Sequence, residues 1–569
     1  MPTLTLMHLP DDVLRDMLDF LGGSYGDVES IKSSRLVCRR LCELASPLLL
    51  PTVTINLGQS SLDRLNHILT TNPLVASGIR KVVVALEYCP ELLATDSLRF
   101  AVFRWSQIGR VLRLVHCDTE LFGNRRNDRQ ELQRAVTKME VVKSAWKSEF
   151  ERWRPLVDQV TDEMLAAFKA EDAVFSDEQL DYRQTLFRGH DEFRRLHQEQ
   201  QRLVVDGTFV DAVASAIARI GHPVSVSVIH NKGEPFFSYV GFAKSLLCDE
   251  MTLPRLLTQP LTWSDIVNNV PESSDREPGL LAARVLAELP IAISKASPEF
   301  PLLKHYKILG FPASLETDYS CIAPRHNLWG WADLATACSA LPKLSFSAAN
   351  PRGELESRLA PSQLKHVHTF LATCLSSPSL KKIDLDLQGF ATCKDRFENR
   401  PRQLFQATKL LASPPNQGFP RLHCVYLSSM AVEQAALEAF CSSIGDSLEF
   451  VSLYDVRLIG KSWLKVTDTL RDAIRRRKAW LQRVRYEEPV CFEGLHGGEL
   501  GPLPLSTMDV MLASMRVTPG EAAKALVMLK LMGYVACAVE DAVNPLLDPK
   551  LMGEMSQHFE HEDNSEEEF

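Results

Sequence analysis

A six-residue apolar pattern, Leu-x-x-Leu-x-Leu, recurs along this 569-residue chain and limits the folds that are open to it. The copies, in which other large apolar residues replace some leucines, begin at Ile79, Leu341, Leu380, Leu422 and Leu448, with a weaker copy at Leu481. Each copy alternates apolar and polar residues, as a half-buried strand does. Helical periodicity appears in between, at 363–375, 432–444 and 464–480. This order predicts parallel strands joined by crossover helices.

The spacing of the copies indicates an irregular array. Leu422 and Leu448 are 26 residues apart, within the range of about 20–29 residues that leucine-rich repeats use. The other intervals are longer, so insertions or extra helices must lie between the strands. We therefore predict an α/β fold, with the first strand and helix units over 53–120 and an irregular leucine-rich-repeat-like solenoid over 201–490. The asparagine typical of such repeats is absent from every copy, so a non-repeating α/β domain with several parallel strands stays open as the alternative.

Residues 121–200 form a charged helical segment that interrupts the array. Its apolar residues recur at helical spacing: Leu132, Val136, Met139, Val142, Trp146 and Phe150. Such helices either cover a core with their charged faces in water or protrude as an arm that contacts a partner, and we favour the first interpretation. His190 and His197 only loosely share a helix face, so we expect surface positions there rather than a metal site.

The last part of the chain predicts a separate helical unit over 491–555. Ser506 and Thr518 each begin a pattern that is typical of a helix N-terminus. Because the terminal unit of a stacked array needs a cap, we expect this unit to close the array. Residues 556–569 are acidic, and we expect a disordered tail there.

Composition argues against several classes of protein. The chain carries 63 Lys and Arg against 72 Asp and Glu, a formal net charge of −9, which is the wrong sign for binding nucleic acid through bulk charge. Its 13 cysteines are scattered without a C-x-x-C pair, so we expect reduced thiols and an intracellular location, in the cytoplasm, the nucleus or both. The first ten residues lack the pattern of a signal peptide, and the most apolar stretch, 525–539, is too short to cross a membrane.

No catalytic residue, cofactor or metal ligand is predicted. Gly460-Lys461-Ser462 resembles the end of a phosphate-binding loop, but Asp455 stands where that loop requires glycine. His366 and His368 fall on opposite sides of a helix, which suits surface or core positions better than chelation. We therefore expect that the chain is not an enzyme, and an unrecognised enzyme stays open as an alternative.

The N-terminal segment carries the most specific pattern of the chain. Leu9-Pro10-Asp11 opens a helix with a stripe of apolar residues: Val13, Leu14, Met17, Leu18 and Leu21. A second apolar run holds Leu36-Val37-Cys38-Arg39 and Leu41, and the segment closes with Ala45-Ser46-Pro47-Leu48-Leu49. So small a helical unit carries more leucine than it can bury alone, so it must pack against the rest of the chain or a partner. A plain helical hairpin packed into the protein's own core is the alternative.

These residues resemble an F-box, most closely the N-terminal F-box of fungal proteins that continue into a long recognition region. We place the domain at residues 5–52, and the resemblance covers about residues 7–52. It implies a helical domain that docks the Skp1 adaptor, which in turn bridges to a cullin and RING ubiquitin ligase, the SCF complex. On this basis Leu9, Pro10, Leu14 and Leu18 should face the adaptor. Leu36, Val37 and Leu41 should lie inside the domain or at the interface, and Leu48 completes the expected Skp1-binding set.

The resemblance also implies that the repeat-like region holds a protein substrate on its concave face. The candidates are polar residues between the strand leucines: Asp384, Asp386, Tyr426, Ser428, Ser452 and Tyr454. The expected function is therefore substrate recognition in an SCF-type ubiquitin ligase. The alternative is a scaffold outside ubiquitylation, which uses the F-box to bind an adaptor without a cullin.

Overall fold

The computed structural model describes residues 8–23, 28–122, 126–153, 176–229, 239–262, 281–312, 319–325, 329–349, 361–390, 404–412, 418–445, 447–460, 462–475, 490–493, 495, 527–532, 534 and 543–550. Three short helices form an N-terminal bundle: α1 (Asp11–Gly23), α2 (Val28–Arg35) and α3 (Arg39–Ala45). A 3₁₀ turn, Ser46–Leu48, leads from the bundle into a parallel β-sheet.

The sheet has ten described strands: β1 (Thr52–Asn56), β2 (Lys81–Ala85), β3 (Val224–Ile229), β4 (Leu303–Pro312), β5 (Lys343–Ala349), β6 (Lys382–Asp386), β7 (Phe405–Gln406), β8 (Cys424–Glu433), β9 (Phe450–Ile459) and β10 (Val490–Glu493). Each pairs in parallel with the next along the chain, except that β6 pairs directly with β8 and the two-residue β7 pairs with β8 alone. Parallel neighbours need crossover connections, and helices supply them.

The helices between and beside these strands are α4 (Gln59–Thr71), α5 (Pro73–Ala76), α6 (Glu91–Thr95), α7 (Ser97–Phe122), α8 (Arg126–Trp153), α9 (Asp177–Val205), α10 (Thr208–Ile220), α11 (Tyr239–Cys248), α12 (Thr252–Thr258), α13 (Arg284–Ala296), α14 (Trp331–Cys338), α15 (Pro361–Leu375), α16 (Thr408–Leu411), α17 (Gln434–Ser442) and α18 (Trp463–Arg475). The chain is therefore an α/β protein with a parallel sheet, as the sequence predicts.

The apolar skeleton sets the register of the strands. Leu344, Ile383, Val425 and Val451 hold the fourth position of four successive copies, and they are direct partners across β5, β6, β8 and β9. All four side chains are buried in the main core, which also contains residues of the crossover helices. The period of two in the sequence thus becomes one apolar face of the sheet, packed against helices.

The strand β4 also carries the skeleton, although the sequence pattern did not identify it. Leu303-x-x-Tyr306-x-Ile308 in β4 is another copy of the skeleton, and Tyr306 and Ile308 are completely buried. Lys304, His305 and Lys307 surround these residues and hide the alternation. Burial of the Tyr306 hydroxyl is compensated because it donates a hydrogen bond to the backbone oxygen of Leu286, at 2.6 Å.

The charged helical segment covers a second core beside the sheet. Met139 and Trp146 of α8 and Phe193 of α9 are fully buried there, so the favoured interpretation of these helices is confirmed for the described residues. This unit extends past the expected 121–200, because α6 and α7 precede it and α11 and α12, between β3 and β4, complete it.

The expected boundaries fall inside regular elements. Residue 120 lies within α7 and residue 200 within α9, whose last turn contributes Leu203 and Val204 to the main core. The boundary between 490 and 491 lies inside β10, which pairs with β9, so the sheet continues to Glu493. Leu481 and the expected strand around it, most of 491–555 and the tail at 556–569 lie outside the described residues.

Gln200 joins the sheet to the helical unit. Its side-chain oxygen accepts a hydrogen bond from the Cys89 amide at 2.8 Å. Its side-chain nitrogen donates to the backbone oxygens of Leu57 and Glu87, at 3.0 and 3.3 Å. One buried amide therefore satisfies three backbone groups where the two cores meet.

A close backbone contact fixes the N-terminal bundle to the sheet. Gly78 lies against Pro47, and a Cβ added at Gly78 would stand 1.6 Å from the Pro47 backbone oxygen. The amides of Arg80 and Lys81 both donate to the backbone oxygen of Pro51, at 2.9 and 3.0 Å. The bundle is thus held to the start of the sheet by backbone rather than by flexible side chains.

We expect Gly78→Ala to destabilise the protein, because the new methyl group meets backbone that cannot move aside as a side chain can. The expected loss is about 2 kcal/mol in the free energy of unfolding, measured by denaturant titration. Gly109→Ala is the matched control: its nearest neighbour is the flexible end of Lys143, at 3.4 Å, and alanine favours the α7 helix. Equal unfolding midpoints for the two variants would contradict this account of the joint.

Candidate functional site

The N-terminal bundle builds its own small core. Its buried residues are Leu14, Leu18, Ile31, Leu41, Leu44 and Ala45. Leu9 and Leu48 are half-buried at the edge of this core, and Pro10 is exposed. The expected outward orientation of Leu14 and Leu18 is therefore not found, because they are only 2% and 5% exposed and hold α1 against the rest of the bundle.

Other apolar residues of the bundle face outward. One group, here called the α1 stripe, comprises Val13, Met17, Phe20 and Leu21, which are 40–68% exposed. The second, here called the loop pair, is Leu36 and Val37 between α2 and α3, at 88% and 70% exposure. Sequence periodicity could not predict that the α1 stripe is the outward face of α1, because the residues on both sides of this helix are apolar. A small domain that leaves six such side chains in water has the character of a docking surface.

Polar contacts hold the bundle in shape beneath these groups. Arg40 forms a 2.6 Å ion pair with Asp11 and also donates to the backbone oxygen of Leu9. The Cys38 sulfur accepts a hydrogen bond from the Leu41 amide at 3.5 Å and so caps α3. Arg35 donates to the buried Ser46 hydroxyl at 3.0 Å. These contacts tie α1, α2 and the closing turn to α3, so the outward groups sit on a fixed framework.

The substrate-binding candidates meet on one face of the sheet. Asp384, Tyr426 and Ser452 are direct partners across β6, β8 and β9. Asp386, Ser428 and Tyr454 form the next row in the same three strands. Because side chains alternate along a strand, both rows point away from the buried skeleton residues. The sequence prediction that these six residues share a surface is thus correct, whereas their role in binding stays a prediction.

Charges and rings contact one another within this polar face. Lys382 lies 3.6 Å from the Asp384 carboxylate and stands over the Tyr426 ring at 4.4 Å. Tyr426 in turn packs against Phe450, with ring centroids 4.9 Å apart. The Ser345 and Ser347 hydroxyls donate to Asp384 and Asp386, at 3.3 and 3.2 Å. The face is therefore ordered by its own contacts and offers aromatic, cationic and carboxylate groups together.

The histidines considered for metal binding have other partners. His190 is buried beside the Phe100 ring, at 5.0 Å, so its expected surface position is not found. His197 contacts the backbone oxygen of Cys89, and His368 stacks on Phe405. Within the described ranges, no group of three or more His, Cys, Asp or Glu side chains could hold a metal ion.

His305 of β4 lies at the margin of the polar face, 3.0 Å from the Ser345 hydroxyl. Burial, and after it the nearby cations Lys307, Lys343 and Lys382, lower the pKa of His305 from 6.5 to about 4. The imidazole is therefore neutral in the folded protein at neutral pH.

We expect the His305 side chain to make stability depend on pH. Between about pH 6.5 and 4 the unfolded chain binds a proton at this histidine and the folded chain does not, so stability falls as pH falls. Because the ring is only partly buried, the expected loss from pH 7 to 5 is about 1 kcal/mol. Denaturant titrations at both pH values should show a smaller loss for His305→Gln than for wild type or for the exposed-site control His67→Gln. An unchanged loss would contradict the assignment.

Comparisons with known proteins supply no relative. No protein-family model matches the chain, and a search of the curated proteins finds no similar protein. Among the helices of the described residues, none is both long and apolar enough to cross a membrane. The function is therefore inferred from the residues and their geometry.

Proposed function

We propose that this chain is a substrate-recognition subunit of an SCF-type ubiquitin ligase and has no catalytic residue of its own. The observation that carries the proposal is the N-terminal bundle, which combines the F-box-like pattern with six outward apolar side chains. We infer that the α1 stripe and the loop pair form the contact with the Skp1 adaptor. Leu14, Leu18 and Leu41 support that surface from the bundle core.

We infer further that the sheet and its crossover helices are an irregular leucine-rich-repeat-like solenoid. Two observations support this: the strand order follows the chain order, and copies of one apolar skeleton stand in register. In a doubly wound α/β sheet the strand order would instead reverse at a switch point. The charged helical unit is then an insertion between repeats.

The polar face of β5 to β9 is the surface that we propose for a protein substrate. Asp384, Tyr426 and Tyr454 give it carboxylate and aromatic groups, and Tyr454 is the most exposed of the six candidates, at 41%. Aromatic side chains anchor many protein interfaces because they bury a large area with few rotatable bonds.

The mechanism is positional. The adaptor would hold the bundle, and the bundle is fixed to β1 and β2 through the backbone contacts of Pro47 and Pro51. A substrate on the sheet would therefore be presented at a fixed distance from the ligase. The gain in rate comes from effective concentration and orientation, with no proton or group transfer by this chain. The proposal implies a location in the cytoplasm or nucleus.

We expect the double variant Leu36→Asp/Val37→Asp to lose Skp1 in pull-downs from cells that express the tagged chain. Full burial of one such side chain contributes roughly 1.5–3 kcal/mol, and about 1.4 kcal/mol is a tenfold change, so the loss should reach tenfold or more. Val13→Asp/Met17→Asp should behave alike. Both variants change exposed positions, so their unfolding midpoints should match wild type.

The matched control is Leu529→Asp, at an apolar residue that is 55% exposed outside the bundle, and it should retain Skp1. Absence of Skp1 from the wild-type sample, or undiminished Skp1 with both double variants, would refute the proposal. Skp1 without a cullin would point instead to a scaffold outside ubiquitylation.

A further inference from the structure

An open groove of about 850 Å³ lies along the edge of the sheet at which β2 to β6 begin. Five basic side chains line it: Arg80, His222, Lys304, Lys343 and Lys381. Its remaining walls are apolar and include Pro223, Pro301, Leu303 and Pro342. Among the described residues that line the groove, none carries a carboxylate.

The repeat itself builds this positive edge. In each copy of the skeleton, two variable residues separate the first apolar position from the second. In three of the copies these two residues are basic: Arg80 and Lys81, Lys304 and His305, and Lys381 and Lys382. Parallel pairing stacks these positions about 5 Å apart. Lys343 of β5, for example, stands directly opposite Lys382 of β6. Residues distant in sequence thus form one basic row.

The charge in this row is poorly neutralised by the protein. In the part of the chain that the structure describes, Lys304, Lys343 and Lys381 form no ion pair. Asp384 is the carboxylate near this row, 3.6 Å from Lys382, and it also interacts with His305. Like charges directly opposite each other destabilise a sheet. Burial is the main cause of the lowered pKa of His305, and the positive charges of Lys307, Lys343 and Lys382 add to it. An anionic ligand would relieve this repulsion.

The chain carries a segment of complementary composition. Residues 558–569 contain six Asp and Glu, no Lys or Arg, and two phenylalanines, and they lie outside the described residues. Their carboxylates match the basic row, and Phe559 and Phe569 match the apolar walls.

The distance allows an intramolecular contact. The side chain of Asn544 donates to Thr467 and Asp468 of α18, so the described chain ends beside the helix that follows β9. Three strand spacings separate β9 from β5, about 15 Å, and a ten-residue strand is about 33 Å long. The 19 residues after Lys550 span up to about 60 Å when extended. Residues 551–557 alone span about 25 Å, so the C-terminal acids of the segment, Glu566 to Glu568, are the ones that reach the groove over the whole of this distance.

We propose that residues 558–569 bind in this groove as an intramolecular acidic ligand. An acidic segment of another protein that uses the same groove must then displace them. The inference does not depend on the ubiquitin-ligase proposal, because it concerns a different surface and needs no adaptor.

The test uses a fluorescent peptide with the sequence of residues 558–569, titrated with the full chain and with a chain truncated after residue 557. The truncated chain should bind the peptide, with an affinity that falls as salt rises. The full chain should bind it at least tenfold more weakly, because its own segment competes at a high effective concentration. A peptide with all six acids changed to Gln or Asn should not bind.

Charge reversal locates the site. Lys343→Glu/Lys381→Glu in the truncated chain should weaken peptide binding at least tenfold. The control Lys365→Glu/Lys465→Glu, at exposed lysines of α15 and α18, changes the net charge equally and should leave binding within twofold. Melting curves of both variants establish that they are folded. If the groove variant does not fold, the single variant Lys304→Glu, at an exposed position, replaces it.

Three results would overturn the inference. The first is no binding of the peptide to the truncated chain, which would show that the groove does not accept this segment. The second is equal binding by the full and truncated chains, which would leave the groove to an acidic segment of another protein. The third is a dimer of the full chain in light scattering that truncation abolishes, which would assign the segment to the groove of a second copy.

Discussion

The register of the parallel sheet is the constraint on which the rest of the molecule depends. One row of side chains runs across four neighbouring strands: Leu344, Ile383, Val425 and Val451. All four are buried in the main core, between the sheet and the crossover helices. A slip of one residue in any strand would turn its apolar side chains outward and its polar ones into the core. The same register therefore aligns the polar rows on the opposite face and the basic residues along one edge.

A stack of this kind tolerates additions, because each strand needs only its two neighbours and its crossover. Two insertions, α6 to α9 after β2 and α11 with α12 after β3, meet to form a second core while β2, β3 and β4 still pair. Gln200 seals the junction by satisfying three backbone groups. The N-terminal bundle is attached differently, through close backbone contact at Gly78.

Charge is distributed unevenly over this framework, and the net value of −9 conceals it. Lys304, Lys343 and Lys381 gather at the edge where the strands begin, whereas residues 558–569 carry six acids and no Lys or Arg. Apolar exposure is concentrated likewise, with the highest value at Leu36 of the bundle. Two surfaces of opposite chemistry, one apolar and one cationic, thus lie on separate parts of the fold.

Local sequence was enough to predict the strands that carry the skeleton, such as those at Val82, Leu344 and Ile383. The alternation of apolar and polar residues is a local property, and the apolar positions are the ones that the structure buries. The sequence also predicted that Asp384 and Tyr426 share a face. Local sequence could not predict which flank of α1 faces outward, because Val13 and Leu14 are both apolar. Packing of α1 against α2 and α3 buries Leu14 and leaves Val13 exposed. The second core and the basic groove were likewise beyond local patterns. The groove joins residues such as Arg80 and Lys381 that only the pairing of distant strands brings to one edge. The second core joins residues such as Met139 and Phe242 that lie on helices distant in sequence.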